Sequence, residues 1–480
     1  MSRAISKNYP RSAKEKTLWL AVVATIFVLS LSVSYSLRIL PLGAVLLIGT
    51  VPLLTLLLII HQETSLLLVV TAYFGAGYLY PDVVVQGLVR SIVLLFIGLA
   101  LLFQLLLKKS LTRTSTPLDK FLAFWLMVIA ASFVYGFYVE GNSMRYLLGD
   151  TYKLTEIILI FWLTTVLVKK TSQVRFLIWG FLAVALAFGM LDSLIFFKQA
   201  PLFGDILLAR VRAAAQFSSI FAFLLVLSLV LHEKSTTTRA ILGVLGFFFF
   251  MSFSLTFLRT GYIAIPLTLA VLLPLYLYKR RRYVLPTLAK LAALVVFLLI
   301  FIGVFNLILT SIDPNMDIIR ASVLRFSSLI TPASEDPMGV RMLEISSIIS
   351  EALAQNPLLG KGLGGQYYGA TLVEAEVEWG VKHYVHNNYF DFLIRTGVLG
   401  LVVFIILAFK YLKAAIRFYL RSRDSFYQGS LLGCIAVFVC SCVIALSTSI
   451  LYSPFLFMMM GLTFCLGRLE EREVRMLQRT

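Results

Sequence analysis

Residues 379–400 read WGVKHYVHNNYFDFLIRTGVLG, a polar start running into an apolar end. Taken as helical from Tyr384 onward, His386, Leu393, Gly397 and Gly400 fall at i, i+7, i+11 and i+14. These offsets return to one face at about 100° per residue. An imidazole then shares a face with a glycine strip, where a neighbouring helix can pack closely. Asp391 and Arg395 fall opposite as an i,i+4 pair with the acid first, which suits a helix. The stretch reads as the passage from an extramembrane loop into a membrane span. On spacing alone, an ordinary interfacial histidine is an equally good reading of His386.

Outward from this stretch, composition decides the class. The 480 residues are 60% hydrophobic and 14% charged, with a mean hydropathy of +0.92. Soluble domains run at about 45–50% apolar and about 25% charged, so this chain cannot hide its apolar side chains in one core. Its apolar runs are long and unbroken, which points to helices and not to the short alternating strands of a membrane barrel. About fourteen runs reach span length: 17–36, 39–60, 65–81, 91–107, 120–139, 154–168, 176–197, 214–232, 240–257, 262–278, 286–309, 389–409, 427–446 and 449–467. The expected fold is an all-α polytopic membrane protein with about 12–14 transmembrane helices. The basic stretch before residue 17 reads as a cytoplasmic tail preceding an uncleaved signal anchor.

The net charge of +18 raises the question of nucleic-acid binding. Placing the N-terminus inside and alternating the spans puts roughly 27 Lys and Arg inside and roughly 14 outside. Most of the charge is therefore topological, facing anionic lipid. The expected domains are the tail 1–16, spans over 17–309, a large external loop 310–388, spans over 389–467 and a cytoplasmic tail 468–480. Within the loop, Glu335-Asp336-Pro337 starts a helix and Asn356-Pro357 stops it, followed by a flexible glycine turn at 360–365. The four cysteines lie in the last two apolar runs and read as small packing residues.

Outward-facing arginines run against the positive-inside bias, and so carry information. Arg210 and Arg212 precede the eighth span, Arg259 sits in LTFLRTGYIAI, and Arg341 lies on the loop helix. With His386 they make several cations and one imidazole on one side of the membrane. A guanidinium fork matches phosphate oxygens, so a diphosphate at the surface fits this set. Taken singly, each arginine is equally well read as a surface ion pair or a lipid contact. His383 reads as a surface residue. Glu374, Glu376 and Glu378 read as a solvated face that could hold a divalent cation weakly.

HNNYFDFLIRTGVLGL closely resembles the signature of the bacterial O-antigen ligase and O-antigen polymerase superfamily: a His-Asn pair, nine residues, then Gly-x-x-Gly. VRAAAQFSSIFAFLL, LTFLRTGYIAI and VRMLEISSIISEALAQNPLLGKGLGG resemble further segments of that family in the same order. In the first, Ala215 and Ser219-Ile220-Phe221 replace the usual Gly and Asn-Pro-Asn; in the second, Leu258 stands where Ser is usual. The resemblance covers roughly residues 205–410. It implies a membrane glycosyltransferase akin to the GT-C class, needing neither a nucleotide sugar nor a metal or other cofactor. Such enzymes move a glycan from an undecaprenyl-diphosphate carrier to an acceptor sugar hydroxyl at the outer face of the bacterial cytoplasmic membrane, in O-antigen or exopolysaccharide assembly. The acceptor is lipid A–core for a ligase and a carrier-linked repeat for a polymerase; the many spans lean towards polymerase.

By that resemblance His386 is the expected base, Arg212, Arg259 and Arg341 the diphosphate clamp, and Arg210 and Asn387 substrate-positioning groups, with Asn387 also a candidate to orient the imidazole. Gly397 and Gly400 are expected to pack helices. The competing reading is a polysaccharide or lipid transporter. That would call for ionisable or broken-helix features near the bilayer midplane, whereas the charges here sit mostly at span ends.

Overall fold

The computed structural model describes residues 115–203, 216–256, 258–280, 302–311, 317–320, 337–373 and 376–478, with single residues at 300, 314 and 323 and part of the stretch 66–74. The spans expected before residue 108 therefore fall almost wholly outside the described residues, as do Arg210 and Arg212. In chain order the elements are α1 Asp119–Tyr138, α2 Met144–Leu167, α3 Thr171–Phe203, α4 Gln216–His232, α5 Thr236–Ser254 and α6 Arg259–Lys279. Then come α7 Pro337–Gln355, β1 Tyr367–Val373, β2 Glu376–Lys382, α8 Asn388–Arg421, α9 Ser425–Ile444 and α10 Pro454–Leu477. Among the described residues α1, α3, α5, α6, α8 and α9 are long and apolar enough to cross a bilayer. The protein is an all-α polytopic membrane protein.

The apolar side chains converge on α9, the most buried of these helices, which packs against α4, α6, α8 and α10. All four cysteines are free, and all but Cys442 are fully buried, as packing residues should be. Gly461 of α10 lets that helix close onto Thr164 and Phe161 of α2. Around the start of α8, Trp125 meets Phe392 and Phe404 with ring centroids 5.5 and 5.7 Å away.

Several boundaries differ from the hydropathy reading. Helix α2 begins at Met144 and not at 154, because Asp150 and Glu156 are buried on its inner face and only look like loop residues in sequence. Helix α8 continues past 409 to Arg421 through residues that propagate a helix well. Helix α10 begins at Pro454, whose fixed φ suits a first helical position, and runs on through its charged end.

The bundle has two distinguishable ends. At one, the Asn388 N–H donates to the Ala445 carbonyl at 2.9 Å, the Leu451 N–H donates to Asn388 Oδ1 at 2.9 Å, and Asn142 Nδ2 donates to the Lys361 carbonyl at 2.8 Å. At the other, the Arg423 N–H donates to Glu470 at 2.7 Å, Arg468 Nη2 donates to the Thr165 carbonyl at 3.2 Å, and the Tyr276 hydroxyl donates to the Leu231 carbonyl at 3.1 Å. The loop between α6 and α8 belongs to the first end. Its helix α7 spans Pro337–Gln355, within the limits the flanking prolines suggest. It also contains an antiparallel hairpin that the sequence reading did not anticipate, with Tyr367 opposite Lys382.

The decisive local feature is Gly397. Its φ of 64° and ψ of −167° break α8 into two helical pieces. That backbone region is essentially reserved for glycine. The break frees backbone groups that must be paired inside a membrane protein. The loop at 357–361 pairs them. The Val398 N–H donates to the Pro357 carbonyl at 2.9 Å, the Leu399 N–H donates to the Leu358 carbonyl at 3.3 Å, and the Lys361 N–H donates to the Ile394 carbonyl at 2.8 Å.

The expectation of a glycine strip against another helix is thus corrected. A side chain at Gly397 would strike the Leu358 carbonyl, so what approaches is loop backbone. At Gly400 the nearest atoms belong to Thr396, one turn back in the same chain segment. The glycine turn at 360–365 is likewise pinned where flexibility was expected: the Leu363 N–H donates to the Ser132 carbonyl at 3.1 Å and the Gly364 N–H to Asp150 Oδ2 at 2.9 Å. Substituting Gly397→Ala is expected to cost about 1–3 kcal/mol from backbone strain alone. Unfolding of the purified protein in detergent checks this; unchanged stability would mean that the break is not built on glycine.

Candidate active site

His386 lies in the short segment between β2 and α8. Helix α8 starts two residues later, so the imidazole is not on its face, contrary to the spacing argument. The reason is Asn387. It adopts an extended conformation and accepts from the Tyr389 N–H at 2.9 Å through Oδ1, a helix N-cap. Its Nδ2 donates to the Leu446 carbonyl at 2.8 Å. Both polar ends of Asn387 are used on backbone, so it fixes where α8 begins and does not orient the imidazole.

Glu344 of α7 does that. His386 Nδ1 is 3.1 Å from Glu344 Oε2, with the imidazole 44% exposed and the carboxylate 3% exposed. Burial pushes the Glu344 carboxyl up. Hydrogen bonds from His386 and Tyr367, with the charges of His386 and Lys382, outweigh it and hold the group below its ordinary value. The carboxylate is therefore ionised and can only accept, so Nδ1 carries the hydrogen. Nε2 makes no hydrogen bond to any described residue. Tyr367 of β1 closes the relay by donating to Glu344 Oε1, and its hydroxyl lies 2.8 Å from the Tyr384 carbonyl oxygen. Burial, and then Glu344, push that hydroxyl far above its usual range, so it remains a donor. The Tyr384 ring stands edge-on to the imidazole at 5.0 Å.

Arg341 is one turn before Glu344 on α7, and its charge reaches the Tyr384 hydroxyl. Arg259 is the first residue of α6. The alternating direction of α4, α5 and α6 puts that turn at the His386 end of the bundle. Arg210 and Arg212 lie outside the described residues. The structure thus gathers His386 with Glu344, Tyr367, Tyr384 and the backbone of Arg341, a set of which the sequence reading named only the first and last as site residues.

Beneath the imidazole lies a buried ionic network. Arg395 pairs with Asp391 at 2.6 Å, as the i,i+4 spacing anticipated, and also with Asp150 of α2. Its Nη2 donates to the His383 carbonyl at 2.7 Å, and the Tyr452 hydroxyl donates to Asp391. His383, expected at the surface, is packed instead. It stacks on Tyr146 with ring centroids 4.2 Å apart, and Nε2 lies 3.2 Å from Asp150. Burial, and then Lys153, lower its pKa to about 4.

Both titrations have one sign. Glu344, depressed in the fold, contributes stability at neutral pH that is lost as pH falls through its folded value. His383 resists protonation in the fold, so the unfolded chain binds the extra proton between its ordinary value and about 4, and stability falls across that window. Protection against hydrogen exchange in residues 356–373 and 376–387, taken relative to the intrinsic amide rate at each pH, is expected to fall from pH 7 to pH 5. A His383→Gln variant should lose part of that sensitivity; no acid effect in either protein would refute the assignment.

Residues 244–405 match the family model described as O-antigen ligase. Over these residues the chain is similar to the O-antigen ligase family. The match takes in Arg259, Arg341, Glu344, the turn at 360–365, Tyr367, His386 and the broken helix at Gly397. It covers about a third of the chain, and Arg210 and Arg212 lie before it. No curated protein matches the chain. Within the matched residues the His-Asn pair and Gly-x-x-Gly have separate physical duties: Asn387 starts the helix, Gly397 breaks it, and His386 precedes the cap with its ring against Glu344.

Proposed function

We propose that this protein transfers a glycan from an undecaprenyl-diphosphate carrier to an acceptor sugar hydroxyl, with His386 as the base. The observation that carries this reading is the bond from His386 Nδ1 to a buried, ionised Glu344. A carboxylate behind an imidazole fixes one tautomer and stabilises the imidazolium formed when Nε2 takes a proton. The acceptor hydroxyl gives its proton to Nε2 as its oxygen attacks the anomeric carbon, and the bond to the carrier diphosphate breaks with its electron pair staying on the phosphate oxygen. Charge grows on that leaving group. Arg341 and Arg259, with Arg212 from the preceding segment, are assigned to hold it, since fixed charge aimed at developing charge is often the largest catalytic contribution. The site faces the outer side of the cytoplasmic membrane in this assignment, and the acceptor is a carrier-linked repeat in preference to lipid A–core.

The test supplies purified protein with a defined undecaprenyl-diphosphate oligosaccharide and each acceptor in turn. Transfer that requires His386 supports the reading, and the acceptor that gains sugar separates polymerase from ligase. Passage of the lipid-linked glycan across a vesicle membrane without transfer would favour the transporter reading. Replacing Arg259→Lys is expected to lower transfer as well, because a point charge does not reproduce a planar fork; wild-type rates in that variant would remove it from the clamp.

A further inference from the structure

The end of the bundle away from His386 holds a second basic site. Helices α2 and α10 diverge there around a cavity of about 90 Å³, lined by Thr165, Val168, Lys169, Cys465, Arg468 and Arg472 among others. Among the described residues no carboxylate lines it. Arg468 is half-buried and tethered: Nε donates to the Phe464 carbonyl at 3.2 Å, and Nη2 donates to the Thr165 carbonyl at 3.2 Å and to Cys465 Sγ at 3.1 Å. Nη1 is left over, and no acid lies within ion-pair distance of Arg468 among the described residues. A half-buried guanidinium held by neutral acceptors, with Lys169 and Arg472 beside it, presents the donors that bind an anion.

The acids of α10 are engaged elsewhere. Glu470 accepts from Ser422 and the Arg423 N–H, Glu473 from Tyr427 and Thr171, and Glu471 lies 4.0 Å from Arg475. The cavity volume suits a phosphate-sized group, since a water's share of liquid is about 30 Å³. Its depth is set by sequence. From Ile157 to its end helix α2 carries no charge, and the chain then meets Lys169 and Lys170; α10 carries none up to Gly467 and meets Arg468. Both transitions mark the level of lipid headgroups.

We infer that this cavity binds the phosphate of an anionic membrane lipid, clamped by Arg468, Lys169 and Arg472. The inference does not depend on the glycan-transfer reading. A lipid source is favoured over free phosphate because acyl chains hold the phosphodiester at the depth of the cavity, where each cation near the surface strengthens binding about fivefold.

The test uses full-length protein in detergent, titrated with phosphatidylglycerol or phosphatidylcholine and read by native mass spectrometry. Phosphatidylglycerol should be retained over phosphatidylcholine, and Arg468→Gln and Arg472→Gln should each weaken that retention about fivefold. Lys169→Gln and Arg472→Gln are exposed changes, so they carry the test if Arg468→Gln does not fold. A double change at Lys413 and Arg417, exposed cations of α8 at the same end, should leave retention intact. Equal weakening by that control would reduce the effect to general surface charge and overturn the inference, as would unchanged retention in the cavity variants. Full displacement of the lipid by millimolar inorganic phosphate would overturn the lipid source.

Discussion

Substituting His386→Ala is expected to lower glycan transfer by about 10²–10⁴-fold, the usual contribution of a positioned base. The imidazole is only half-buried, at the edge of the fold, so membrane insertion and folding should survive the change. Glu344→Gln should approach the same loss by a different route. The amide oxygen can still accept from Nδ1, but the negative charge that offsets the imidazolium is gone. Because Glu344 is buried behind His386 and meets no substrate, kcat should fall while KM for the donor stays near wild type. The double variant should be hardly worse than either single one, since the two groups act as a unit. A steady-state assay with a defined lipid-linked donor checks all three. Full activity in His386→Ala would remove the base, and multiplicative losses in the double variant would remove the relay.

Arg395→Met is expected to destabilise the protein by about 3–5 kcal/mol, the cost of leaving buried charge unpaired. Arg395 is 3% exposed and sits between Asp391 of its own helix and Asp150 of α2, both nearly inaccessible. Removing the guanidinium strands two carboxylates and loses the bond that fixes the His383 carbonyl, three residues before the imidazole. Glycan transfer should therefore fall along with stability. Neutralising the acids as well, with Asp150→Asn and Asp391→Asn, should recover much of the lost stability, because the penalty lies in the unpaired charges. Unfolding in detergent measures both. A single variant within about 1 kcal/mol of wild type would show that the network is not holding α2 to α8.

Much of the site was legible in advance because its signals are local. Asp391 four residues before Arg395 is an ion pair, whatever surrounds them. His386 stood out as an imidazole at the edge of an apolar run. The periodicity argument then failed at two points for one reason each. It extended the helix back through Asn387, which caps and therefore cannot be interior. It also carried one helical face through Gly397, where the chain takes a conformation that the 3.6-residue repeat cannot describe. Glu344 was visible only as a polar residue of a loop helix, 42 residues from its partner. Asp150 looked like a reason to start α2 later, because a hydropathy window treats a buried, paired acid as a solvated one.

By itself the sequence determined the class of the molecule and the positions of most described helices, because apolar runs of bilayer length have few other uses in water. It also set the limits of α7, since proline flanks it on both sides. Tertiary structure alone decided that the loop at 357–361 docks into the break at Gly397, that Glu344 stands behind His386, and that Asp150 completes the Arg395 network. Each of these is a meeting of groups far apart in the chain, arranged by the need to pair every buried polar group, and no local pattern encodes which distant partner will satisfy it.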